Sequence, residues 1–102
     1  MVTVLWDTWL NHGAEAQGLE LTRQVWTEMQ RFEGYVSHKL LVDEEAANHL
    51  IVVSSWRSRD TADRAKHQYA TADSVRKLTP LLLRPRGRWV LSEDVSTRAM
   101  SE

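Results

Sequence analysis

His38 interrupts an apolar, strand-forming run, YVSHKLLV, with the side chain whose protonation changes near neutral pH. Lining an apolar pocket, it is a candidate general base for an acidic substrate proton. Its alternative role is structural: bonded to Ser54, or placed at a seam between subunits. Trp56 closes the run HLIVVSSW. Its ring could stack on an aromatic ligand while the indole N–H donates to a ligand oxygen, or it could simply plug the core at a strand end. Tyr69 offers a hydroxyl to the same substrate, or serves as a structural tyrosine. His67 lies two positions away and need not share its face. Trp6 and Trp9 point to opposite sides of one strand, so one of them faces the pocket. Asn11 and His12 follow that strand, where a loop could line the pocket mouth or merely turn.

Other chemistries find less support. The four histidines, His12, His38, His49 and His67, show no compact ligand spacing, and neither HExxH, GxGxxG nor a Walker loop is present. Metal binding therefore has no local warrant. The chain has no cysteine, which excludes thiolate nucleophiles, thiolate-held metals and disulfides, and fits a reducing cytoplasm. Thirteen basic residues against fourteen acidic ones give a formal charge of -1, so no net positive field gathers nucleic acid or an anionic membrane. The one basic cluster, Arg84-x-Arg86-x-Arg88, reads as a solvated rim, with contact to an anionic substrate as its alternative. No secretory signal or membrane-length apolar run is visible.

These residues must be held by a small fold. A chain of 102 residues with 42% apolar content makes one domain, residues 1–102, with a core over about 2–95 and a tail over 96–102. Residues 2–10 are rich in β-branched and aromatic types and predict a strand. Leu21, Val25, Met29 and Phe32 recur at helical spacing over 15–32, and Gly34 ends that helix. Residues 34–43 and 49–57 predict two strands joined by a short polar connection. Ser58 or Asp60 caps a helical region over about 61–78, which Asp73 or Ser74 could restart after a bend. Pro80 and Pro85 close off further helix, and residues 88–95 predict a fourth strand. The order is β-α-β-β-α-β, a ferredoxin-like α+β fold with a four-stranded antiparallel sheet.

The two middle strands carry apolar side chains on both faces. Val36, Leu40 and Val42 oppose Tyr35 and Leu41; Leu50, Val52 and Trp56 oppose Ile51 and Val53. A hairpin register that sets Val42 against Leu50 also sets Leu40 against Val52, His38 against Ser54 and Val36 against Trp56. Two helices cover one sheet face, so the other needs a cover, and a second copy of the chain supplies it.

Residues 32–83, through FEGYVSHKLLVDEE, HLIVVSSWRSRDTADRAKHQY and LTPLLLRP, resemble the antibiotic biosynthesis monooxygenase domain family. Gly34, Trp56 and Pro80 fill the family's helix-ending glycine, strand-closing tryptophan and leucine–proline segment. The resemblance spans roughly residues 2–95 and implies a dimeric α+β barrel, with a pocket between sheet and helices of each subunit. It also implies an oxygenase of phenolic or polycyclic aromatic compounds that uses no metal or flavin cofactor. In that scheme His38 deprotonates the phenol while Trp56 and Tyr69 hold the ring and an oxygen substituent. Trp6, Asn11 and His67 complete the expected substrate contacts. A non-catalytic dimer holding an apolar metabolite, and an isomerase or cyclase, are the alternatives. The haem-degrading branch has a second tryptophan and a histidine at places held here by Ala65 and Val75, which can do neither job; gaps would be needed to bring His67 into play.

Overall fold

The computed structural model describes residues 1–94; Val95, expected to end the fourth strand, and the expected tail over 96–102 lie outside them. The elements are β1 (Val2–Trp9), α1 (Glu15–Met29), β2 (Tyr35–Val42), β3 (His49–Trp56), α2 (Arg59–Tyr69), α3 (Asp73–Leu78), a 3-10 turn (Thr79–Leu81) and β4 (Gly87–Leu91). The four strands form one antiparallel sheet in the order β2-β3-β1-β4, the ferredoxin-like arrangement.

The helices cover one face. Val4, Leu50, Val52 and Trp56 from the strands meet Val25, Trp26 and Met29 of α1 and Ala62, Ala65 and Leu78 beyond, all buried. Full burial of each large apolar side chain is worth about 1.5–3 kcal/mol, so this layer dominates folding. Ser58 caps α2: its hydroxyl accepts the Thr61 backbone N–H at 3.2 Å, while Thr61 Oγ1 accepts the Ser58 N–H at 3.3 Å. Gly34 takes φ +89°, and a Cβ there would fall 2.2 Å from Thr61 Oγ1. Glycine is thus required twice over, for its backbone and for the close approach of α2.

The expected hairpin register holds from His38 to Val42, which pair with Ser54 through Leu50. It fails at its end. A bulge between Tyr35 and Ser37 pairs Tyr35, not Val36, with Trp56. The extra residue turns Tyr35 onto the helix side and leaves Val36 exposed. The helical region expected over about 61–78, which Asp73 or Ser74 could restart after a bend, is two pieces: the chain leaves α2 at Ala70 and re-enters helix at Asp73, after an extended Ala72. No helix among the described residues is long and apolar enough to cross a membrane.

Candidate functional site

Trp6 of β1, Val25, Trp26 and Met29 of α1, and Tyr69 of α2 close around a cavity of about 130 Å³ beneath the helices. Ala70 and Val75, on either side of the break between α2 and α3, complete its apolar lining, so the break is what leaves the space. Two cations complete the lining. Lys66 is an exposed residue of α2, and half-buried Arg86 lays its guanidinium 4.9 Å from the centre of the Trp6 ring. Burial pushes Arg86 below its ordinary value. Arg88, one residue pair further along, sits 5.5 Å from the same ring but is tied to Asp63 at 3.0 Å. The Arg88 hydrogen bond holds the Asp63 carboxyl below its usual range. The three arginines therefore do not form a solvated rim: Arg86 and Arg88 line the helix side, while Arg84 lies over Trp9 on the other.

The expected site residues are divided among several places. Trp6 and Tyr69 line the cavity as expected. The Tyr69 hydroxyl, however, is not open to a ligand: it donates to Glu28 and is shared with Ser74. Burial, followed by the Glu28 hydrogen bond, pushes it up to about 12. Trp56 lies outside the cavity, fully buried, and its indole N–H donates to Ser54 Oγ at 3.1 Å. Ser54 in turn donates to the Val4 carbonyl at 3.0 Å, and His38 bonds the Tyr35 hydroxyl rather than Ser54. The void beside Trp56 is about 10 Å³, no more than one water's worth.

His38 also stands outside the cavity. It faces α1 as the register requires, but over a groove formed with Leu19, Arg23 and Thr27. Trp26 lines the cavity and sets its ring centre 5.4 Å from that of His38. The bulge brings the Tyr35 hydroxyl to 2.6 Å from His38 Nδ1, and burial lowers the imidazole's pKa. Asn11 ties the end of β1 to the 3-10 turn through the Pro80 and Leu81 carbonyls, and His67 is exposed on α2; neither lines the cavity. Trp26 and Arg86 were legible as candidates only in part: Trp26 adjoins Val25 on the apolar stripe, and Arg86 shares the period-two face of Arg88.

The opposite sheet face holds a second polar group. His49 bridges Asp7, through Nε2, and Asp43, at 2.8 Å through Nδ1, and stacks on Trp9 at 3.9 Å. Burial alone would lower His49, but the hydrogen bonds to Asp43 and Asp7 outweigh it and raise its pKa. Around this group the face is apolar: Leu41, Trp89 and Leu91 are exposed, with Leu5, Ile51 and Val53 between them. Both imidazole nitrogens are occupied, and no group of three ligating side chains suited to a metal occurs among the described residues.

No family model matches this sequence, and no curated protein matches it. Solved structures do. A provisionally designated antibiotic biosynthesis monooxygenase from Nitrosomonas europaea superposes with a TM-score of 0.81 at 13% identity, over 91% of this chain and 98% of that one. The fold is that of the antibiotic biosynthesis monooxygenases. SnoaB, a cofactor-independent oxygenase from Streptomyces nogalater, shares it with a TM-score of 0.75 at 22% identity, over 92% and 95% of the two chains. Rv0793 from Mycobacterium tuberculosis matches with a TM-score of 0.78 at 20% identity, over 91% and 94%. In this chain the cavity lies between the sheet and the helices.

Proposed function

We propose that the protein is a cofactor-independent monooxygenase that oxidises an aromatic or phenolic small molecule with dioxygen. The observation that carries this reading is the aromatic-walled cavity of Trp6, Trp26 and Tyr69, set in the fold that SnoaB shares. An apolar cavity of ~150 Å³ accepts one benzene ring, so about 130 Å³ favours a single ring over a polycycle. The phenol loses its proton, and the electron-rich ring reduces dioxygen to a ring-bound peroxide. Loss of water from that peroxide leaves a quinone, so one oxygen atom ends in the product and the other in water. His38 stands outside the cavity, so solvent water at the exposed Lys66 edge, rather than an imidazole, accepts the phenolic proton.

Oxygen uptake with single-ring phenols and hydroquinones tests the reading. Saturable uptake is expected, falling sharply in Trp26→Ala; no uptake across the panel would sink it. His38→Ala is expected to keep turnover within about threefold of wild type. A second reading, a non-catalytic binder of an apolar metabolite, is favoured by the engaged Tyr69 hydroxyl. Ligand binding without oxygen uptake would select it. The apolar face beyond the sheet is proposed to pair with a second copy of the chain, since exposed apolar patches of this kind mark association surfaces.

A further inference from the structure

Arg86 is a costly residue to leave as it is. Its guanidinium is half-buried against Trp6 and loses hydration, yet among the described residues no carboxylate pairs with it. The nearby acids are committed elsewhere: Asp63 to Arg88 and Arg59, and Glu28 to Tyr69 and Ser74. Lys66, the other cation of the cavity, likewise has no ion pair among the described residues. A desolvated cation that lacks an internal counter-ion is stabilised by an external one. The remaining walls are aromatic or aliphatic and leave room for one ring.

From this we infer that the cavity selects a single-ring aromatic carboxylate, its ring between Trp6 and Trp26 and its carboxylate on Arg86 with Lys66. The guanidinium presents parallel N–H donors in a planar fork that matches the two oxygens of a carboxylate, which a phenolate oxygen does not fill. Lys66, a flexible point charge on an exposed stem, closes over the same anion. The inference rests on the cavity of the oxygenase reading but not on the oxidation itself. It narrows that reading to phenols that also carry a carboxylate.

Titration calorimetry with 4-hydroxybenzoate and its neutral isostere 4-hydroxybenzamide decides the matter. At pH 7 the acid is expected to bind about tenfold more tightly than the amide. In Arg86→Met that preference falls to about twofold or less, and Arg86→Lys retains part of it. A thermal melt of each variant checks that the fold persists, and the Lys variant keeps the test decisive if the Met variant unfolds. Equal binding of acid and amide overturns the inference, as does a preference that survives in Arg86→Met. Absence of saturable acid binding up to about 10 mM overturns it too. Oxygen uptake is read separately: acid preference without uptake sinks the oxidation and leaves the anion site standing, and uptake without preference does the reverse.

Discussion

Gly34→Ala is the sharpest single perturbation of this fold. At φ +89° an L-residue bears a backbone cost of about 1–3 kcal/mol. The new methyl would also lie 2.2 Å from Thr61 Oγ1 and 2.3 Å from Thr61 Cβ. A rotamer change clears the hydroxyl but not the Cβ, so the first turn of α2 must shift. That shift opens the reciprocal Ser58–Thr61 cap, worth about 1 kcal/mol. The two terms together give about 2–4 kcal/mol. For a domain of this size each kcal/mol lowers Tm by about 4–8 °C, so the drop should be roughly 8–32 °C by calorimetry or circular dichroism. Thr61→Ala should not rescue it, because the Cβ remains; Thr61→Gly in the Gly34→Ala background should recover part. A Gly34→Ala protein melting within about 3 °C of wild type would refute the reasoning. Because α2 also carries Lys66 and Tyr69, the variant should bind cavity ligands more weakly.

Ser54→Ala strips the buried Trp56 indole of its acceptor and should cost about 1–3 kcal/mol in urea unfolding, whereas the double variant Ser54→Ala/Trp56→Phe should cost less than the two single effects added. The Asp7–His49–Asp43 group makes stability depend on pH. His49 is raised above its ordinary 6.5, so its contribution is full below that pH and is lost as pH rises through the folded value. The His49 hydrogen bond lowers Asp43 below its ordinary 3.8, so that contribution is present above about pH 4 and is lost as pH falls through the folded value. The Tm advantage of wild type over His49→Gln should therefore be largest between about pH 4 and 6.5; taking the difference removes the opposite slope of His38, and a pH-independent difference would contradict the assignment. Trp89→Glu, on the exposed apolar face, should convert a particle of roughly twice the 11.8 kDa chain mass into a monomer by light scattering, and an unchanged mass would count against pairing through that face.

Strand order and the two-faced sheet were legible because period-two alternation leaves little freedom once one face is buried. The five-residue match from Val42 down to His38 follows directly from that. The bulge at Val36 was not legible: no glycine marks it, and what stabilises it is the packing of Tyr35 against Trp56, a contact between residues twenty-one positions apart. The cavity was harder still. Tyr69 and Trp6 could be placed on the right face, but whether Trp56 lines a pocket or plugs a core depends on where α2 breaks, and that is decided by packing across α1, α3 and β1. Arg86 was obscured by its neighbours, since three alternating arginines read as solvated until Trp6 and Trp9 are seen to take them on opposite faces.

The sheet also partitions the chain's five tryptophans. Trp6 and Trp26 wall the cavity, Trp9 and Trp89 lie on the opposite face, and Trp56 is sealed in the core. Each proposed process thus has its own intrinsic fluorophores. The proposed ligand entry should quench the first pair, the proposed pairing should shift the emission of the second, and only unfolding should move the fifth to the red. Single Trp→Phe variants would separate the three channels optically, with no label added to an 11.8 kDa chain.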